Sequence, residues 1–294
     1  MNKELSIIIV NWNVSRELNK CIKSIVEKTK NIDFEIIIVD NNSMDCDIWE
    51  VGKRWPQSYI IHNKVNFGFA TAVNQGIGKA KGEYILLLNP DVLIPDENTL
   101  RSFIDQAKDI KNLGVAGCKI LNYDGSIQES VRRFPDIKSQ SLILLKLHQL
   151  FKLKAIKNYL AKSFDYDYSD SVDQVMGAAF LISQTAIEKI GQFDENYFLW
   201  FEEVDFCKRA KDKGLKIMYL AGTSILHQKG ESFAKLPAVK KQYIYLNSLY
   251  KYFKKHGQGS EKNIILFLAP LSLFLALVVN LIETFKTIKR DKNK

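Results

Sequence analysis

The stretch Leu5-Ser6-Ile7-Ile8-Ile9-Val10-Asn11-Trp12-Asn13 decides the fold class. Its apolar run shows almost no polar alternation, which is the pattern of a strand covered on both faces in a parallel sheet. Two more runs of this kind, Phe34 to Val39 and Tyr84 to Leu88, follow downstream. Between the first two, Ser15 to Lys28 sets Leu18, Cys21, Ile22, Ile25 and Val26 at helical spacing, with Ser15 as the expected N-cap. Strand, helix and strand make a βαβ unit with a right-handed crossover. The fold class is α/β.

Each of the three strands ends in a polar cluster: Asn11-Trp12-Asn13, Asp40-Asn41-Asn42-Ser43 and Asn89-Pro90-Asp91. Ligands of open α/β sheets bind at the carboxyl ends of the strands, so these clusters are expected to converge on one crevice. Further along, Gly114 to Ile120 and Lys216 to Leu220 suit strands, and Val175 to Ser183 is an apolar segment that holds Gly177. Glu202 to Gly214 suits a helix ending at a glycine.

The net charge of +9 is unevenly placed. Residues 1–228 carry 29 basic and 29 acidic side chains, whereas residues 229–294 carry 13 and 4, so the whole excess lies in the tail. The chain therefore divides into a neutral catalytic body, 1–228, and a basic extension, 229–294. Within the extension Ile264 to Ile282 is uncharged over 19 residues, roughly 28 Å as a helix at about 1.5 Å per residue and close to the thickness of a bilayer core. A basic tail with such a run favours a lipid surface over nucleic acid. Pro270 interrupts the run and both flanks are basic. A re-entrant or interfacial helical hairpin is therefore expected rather than a span, which would break the positive-inside tendency. Residues 141–164, lysine-rich without an acid, are expected to add a second membrane contact. Cys21, Cys46, Cys118 and Cys207 are scattered without a CxxC pair, which suits buried thiols of a reduced compartment. The apolar stretch near residue 5 is too short for a signal peptide, so the body is expected in the cytoplasm.

A lone carboxylate at a strand end, as in Asn89-Pro90-Asp91, is placed to hold a divalent cation on a nucleotide diphosphate; the same residues also suit a proline turn. Asp40 suits a contact to a nucleobase or ribose, or an Asx turn. Asn66-Phe67-Gly68-Phe69-Ala70, with Asn74 after it, has the look of a turn entering a helix whose free amides attract anions. Glu202, Glu203 and Asp205 crowd a helix start, where acids also gain from the helix dipole. Trp200 and Phe201 beside them offer a stacking face for a sugar and partial desolvation for a base. His227 suits a neutral imidazole ligand. No P-loop or GxGxxG pattern is present, which removes the usual signatures of ATP hydrolysis and hydride transfer.

Taken in order, SIIIVNWN, EIIIVDNNSMD, NFGFATAVNQGI, YILLLNPDV, Gly177-Ala178-Ala179, FDENYFLWFEEVDFCKRA and ILHQKGES resemble the family-2 inverting glycosyltransferases, in particular their rhamnosyltransferase-like branch. The resemblance implies a GT-A, Rossmann-like fold and a nucleotide-sugar donor whose sugar the branch suggests is rhamnose. It also implies Mg²⁺ or Mn²⁺ held by Asp91, His227 and the donor phosphates. By motif, Asn11, Asn13, Asp40, Asn42, Asn66, Gly68, Asn74 and Asp91 fall to the donor, and Glu203 to the catalytic base, an assignment that the longer Glu arm leaves open between Glu203 and Glu202, with Asp205 two positions on. Trp200, Gly177, Arg132 and Arg133 fall to the acceptor side. The acceptor would be a lipid-linked or polysaccharide hydroxyl in cell-surface glycan synthesis, at the cytoplasmic face of the membrane. Two departures stand out: an acidic pair of Glu-Glu rather than Glu-Asp, and Asn89 where a D-x-D would place an Asp. Two rivals are a sugar-nucleotide nucleotidyltransferase and a non-catalytic membrane scaffold. The first normally has a glycine-rich loop after its first strand, and none is present here.

Overall fold

A computed structural model describes residues 3–45, 48–228 and 236–291, with side chains as far as 281. Cys46 and Lys229 to Ser232 of the ILHQKGES stretch lie outside the described residues. The strands are β1 (Lys3–Asn11), β2 (Phe34–Asp40), β3 (Ser58–His62), β4 (Gly82–Leu88), β5 (Val92–Leu93), β6 (Leu113–Leu121), β7 (Val131–Arg132), β8 (Asp170–Ser171), β9 (Gln174–Val175), β10 (Ala179–Ser183) and β11 (Lys216–His227). The helices are α1 (Ser15–Lys28), α2 (Ile48–Arg54), α3 (Phe69–Ile77), α4 (Thr99–Lys108), α5 (Ile137–Leu144), α6 (Leu147–Leu150), α7 (Lys154–Tyr159), α8 (Gln184–Ile190), α9 (Glu202–Asp212), α10 (Ala238–His256) and α11 (Glu261–Asp291).

The main sheet runs β3-β2-β1-β4-β10-β6-β11-β5, with β8 paired to β11. Strands β3, β2, β1 and β4 are parallel; β10 enters antiparallel between β4 and β6, and β6 and β11 are again parallel. Buried Ile7, Ile9, Ile36, Ile38 and Leu86 fill the side covered by α1, while Ile8, Ile37, Ile85 and Leu87 meet α3 on the other. Both faces are covered, which is why the strands read as unbroken apolar runs.

Ser15 is the first helical residue of α1 and not its cap; Val14 holds the cap position without a side-chain bond. The capping acceptor comes from the next loop, where Asp45 Oδ2 accepts from both the Ser15 amide and its hydroxyl at 2.8 Å. Lys216 to Leu220 is only the start of β11, which continues past an irregularity to His227 and so reaches the site.

Charge and packing divide the chain at different places. Although α10 belongs to the basic extension, its Leu246, Leu249, Tyr252 and Phe253 form one buried cluster with Tyr197, Phe201 and Val204 of the body. The Ser248 hydroxyl donates to Leu199 O at 2.7 Å, and Lys251 Nζ to Asn196 O at 2.5 Å. Helix α11 then packs back along α10 through Ile265, Leu268, Ala269 and Leu273. The hairpin expected inside 264–282 is absent: α11 is one continuous helix with Pro270 inside it. Pro270 lies on the exposed side. Of the 141–164 segment, Leu144 is buried in the same cluster, while Leu150 and Phe151 are exposed.

Candidate active site

In-register pairing carries the strand ends to one edge: Asn11 faces Asp40, and Asp40 faces His62. Asp40 is fully buried and accepts from Asn11 Nδ2 at 2.8 Å, from the Ser43 amide at 3.2 Å and lies 3.1 Å from His62 Nδ1. Asn13 and Asn42 take left-handed backbone, which asparagine tolerates better than most residues. Asn13 then accepts the Met44 amide at 2.7 Å. The Asn11, Asn13, Asp40 and Asn42 cluster thus braces the loop after β2 from within.

Beside it opens a cleft of about 480 Å³. Of the residues expected from sequence, Asn66, Gly68, Gly177, Trp200, Glu202 and Glu203 line it, and Asn89 and Pro90 close one wall. Trp12 and Asn41, from the polar clusters after β1 and β2, line it as well, together with Lys240, which sequence did not single out. The turn Asn66 to Ala70 was expected to offer free amides, and three of them are taken. Phe67 N donates to Asn41 Oδ1, Gly68 N to Asn66 Oδ1 and Phe69 N to Phe198 O. Gly68 is needed here because its φ is +90° and an added Cβ would lie 2.6 Å from the Phe198 carbonyl oxygen. Asn74 is likewise spent on the fold: it donates to Phe193 O and Glu195 Oε1 and accepts from Phe193 N. These bonds pin the 193–201 segment over the cleft.

That segment ends in strain. Trp200 and Phe201 both have positive φ, 63° and 69°, at a cost of order 1–3 kcal/mol each for bulky residues. The twist turns the start of α9 so that Glu202 and Glu203 face the cleft. Glu202 Oε2 and Glu203 Oε2 are both buried without a hydrogen-bond partner. Burial raises the pKa of both; for Glu202 the neighbouring Glu203 charge raises it further, while backbone hydrogen bonds and Arg132 offset part of the rise for Glu203. Two such carboxylates do not ionise together. Of the two, Glu202 is raised further, so it is the more readily protonated member of the pair.

Asp205, grouped with these acids by sequence, is turned away from the cleft. It is fully buried and bound by Arg209 at 2.8 Å, Lys255 at 2.8 Å and His256 at 2.7 Å. Burial works against its charge, but the hydrogen bonds from His256, Lys255 and Arg209 prevail and hold its pKa at about 2. It ties α9 to α10 and is not part of the cleft lining.

Past Pro90, Asp91 meets His227 across the β5–β11 pair, with His227 Nε2 3.3 Å from Asp91 Oδ1 and both side chains buried. The tautomer follows from Gln128, which sequence did not flag. Its amide nitrogen donates to Asn122 Oδ1 and His227 O at 2.7 Å each, leaving Oε1 to face His227 Nδ1 at 2.9 Å. Nδ1 therefore carries the hydrogen, and Nε2 presents a lone pair to a carboxylate oxygen. With the ring neutral these are two buried acceptors, neither with a hydrogen-bond partner; a proton or a metal cation between them removes the repulsion, and the imidazole–carboxylate donor set fits a divalent metal. Among the described residues no third His, Cys, Asp or Glu joins them. Arg132 and Arg133 stand apart, lining a separate hollow with Lys211 and Asp173. Arg132 reaches the cleft only through its field on Glu203.

Residues 6–166 match the family model described as glycosyl transferase family 2. Over 267 residues the chain is 25% identical to N-acetylglucosaminyl-diphospho-decaprenol L-rhamnosyltransferase of Mycobacterium tuberculosis, covering 84% of this chain and 85% of that protein. Among solved structures, GalNAc-T7 with UDP, GalNAc and Mn²⁺ aligns with a TM-score of 0.61 at 16% identity, over 86% of this chain and about half (48%) of the other. A mannosyltransferase from Pyrobaculum calidifontis in complex with GDP-Man and Mn²⁺ aligns with a TM-score of 0.59 at 13% identity, over 95% of this chain and 74% of the other. At these identities the two structures speak for the fold alone.

Proposed function

Because the chain belongs to glycosyl transferase family 2 and is a glycosyltransferase of cell-surface glycan synthesis, we propose that it moves a sugar from a nucleotide-sugar donor to a hydroxyl of a lipid-linked acceptor, with inversion. The observation that carries this is the Glu202–Glu203 pair, two partnerless buried carboxylate oxygens in a cleft whose other wall leads to Asp91 and His227. Glu203, the less readily protonated of the two, takes the acceptor proton as the hydroxyl attacks the anomeric carbon. Trp200 offers its ring face to a sugar, and the bonds of Asn74 and the Phe69 amide fix the segment that carries it. Asp91 and His227 would hold Mg²⁺ or Mn²⁺, as the Mn²⁺ in the two similar solved structures suggests. When bound, the cation supplies positive charge to the departing diphosphate. The donor sugar we assign is rhamnose, after the mycobacterial relative, whose printed name also motivates the lipid-diphosphate acceptor. Incubation of the protein with dTDP-rhamnose, a lipid-linked sugar and Mn²⁺ should release nucleoside diphosphate and form a glycoside. Release of pyrophosphate, or no release with any nucleotide sugar, overturns the assignment.

A lipid-linked acceptor calls for a membrane surface, and α11 supports one at the cytoplasmic face. It is the helix among the described residues that is long and apolar enough to cross a membrane, yet one side of it is packed on α10. On the other side Ile264, Phe267, Leu271, Phe274, Leu277 and Leu281 form an exposed stripe, with Phe267 83% accessible. Since α10 is bonded to the body, α11 meets the bilayer along this stripe and lies in the interface. Burial of each large side chain contributes about 1.5–3 kcal/mol. Phe267→Ser, Leu271→Ser and Phe274→Ser together should move the protein from the membrane pellet to the soluble fraction without loss of helix by circular dichroism. A triple variant that still pellets like the parent removes the stripe as the contact.

A further inference from the structure

A hollow of about 300 Å³ lies between the α5–α6 corner, α10 and α11. Lys146, His148, Lys241 and Gln242 supply most of its polar lining, and among the described residues no carboxylate lines it. Ala276 and Val279 of α11 form one side, and Trp200, which also walls the cleft of Glu202 and Glu203, stands on the other. Lys146 occupies the turn between α5 and α6 with φ 59°, a backbone state that residues other than glycine and asparagine seldom take. Its ammonium is half-buried and donates to the neutral Gln242 Oε1 at 2.9 Å; Gln242 in turn donates to Ser272 Oγ of α11 at 2.9 Å. Burial lowers the pKa of Lys146, and burial together with the Lys146 charge lowers that of His148. His148 Nδ1 is buried without a partner. Lys146 and His148, partly withdrawn from water with no carboxylate in the described lining, destabilise one another, and a bound phosphate would reverse that.

We propose that this hollow binds the phosphoryl group joining a lipid acceptor to its sugar, with Lys146 as its cation and His148 beside it. The proposal rests on the lipid-linked acceptor assigned above. A sugar in the cleft and a lipid chain along α11 leave the linking phosphate beside Trp200, where the basic groups gather. The bilayer's own anionic headgroups share this chemistry, and the experiment separates the two.

The full chain in a neutral detergent, without donor or metal, is titrated calorimetrically with farnesyl diphosphate and with farnesol. Binding of the diphosphate at least about tenfold tighter than farnesol is expected. Lys146→Gln should weaken the diphosphate by about tenfold and leave farnesol unchanged, whereas Lys146→Arg keeps the charge and retains the affinity. Equal binding of the two ligands, or unchanged affinity in Lys146→Gln, overturns the proposal. So does an effect of Lys146→Gln confined to phosphatidylglycerol vesicles over phosphatidylcholine vesicles, which assigns the hollow to bilayer headgroups. If the parent chain transfers no sugar while the charge-dependent binding persists, the transferase assignment falls and the phosphate site stands.

Discussion

Glu203→Gln is expected to lower sugar transfer by about 10²–10⁴-fold, the usual cost of losing a general base, with donor affinity unchanged. The amide keeps the size of the side chain at the start of α9 but cannot accept the acceptor's proton. Glu202→Gln should be far milder, because burial and the adjacent Glu203 charge raise the Glu202 pKa further and favour its neutral form. The sign of the pH dependence follows. Burial raises the Glu203 pKa above the ordinary value of 4.5, and the base works only when deprotonated. Transfer should therefore rise with pH through that elevated pKa. Initial rates in single-turnover mode, with donor affinity from a separate titration, test both points. A dead Glu202→Gln beside an active Glu203→Gln would move the base by one residue.

Asp91→Asn should lower turnover at least about a hundredfold, since metal stabilisation of a leaving group is worth several kcal/mol. Among the described residues Asp91 and His227 are the two candidate protein ligands, so the loss of either charge or lone pair would remove much of the protein's hold on the cation. EDTA should abolish transfer and Mn²⁺ or Mg²⁺ restore it. Mn²⁺ binding followed by electron paramagnetic resonance in the presence of nucleoside diphosphate gives a readout independent of transfer. Full activity in EDTA, or Mn²⁺ binding unaltered by Asp91→Asn and His227→Gln, would refute the metal site. Gln128→Leu should weaken Mn²⁺ as well, because Gln128 fixes which ring nitrogen of His227 is free.

The strands were legible because a sheet covered on both faces demands uninterrupted Ile, Leu and Val, and few other structures do. Asn66, Gly68, Gly177 and the acidic pair were legible as cleft lining because they sit beside strand ends and helix starts, which the parallel sheet carries to one edge. Asn74 and Asp205 misled because a buried bond to a segment about 120 or 50 residues away leaves no local pattern. Gln128 was invisible for the same reason. The role of α10 was hidden by its charge. Its lysines colour the composition of the tail, while Leu246, Leu249, Tyr252 and Phe253, spaced as a helix face, are the residues that join the body. Pro270 misled in the opposite direction, since a proline on the open side of a long packed helix need not break it.

The bonding of Asp205 to Lys255 and His256 sets an order of events during synthesis. A chain emerges from the ribosome amino end first, at about 5–20 residues per second, so β1 to β11 are free to assemble while α10 is still inside the tunnel. Until residues 238–256 follow, buried Asp205 has only Arg209 as its counter-charge, and the cleft lacks the wall that Lys240 and Ile244 provide. The apolar face of α11 comes out directly afterwards. Completion of the cleft and exposure of the apolar stripe of α11 are thus successive steps, and a chain that has not yet released residues 240–244 lacks one wall of the cleft.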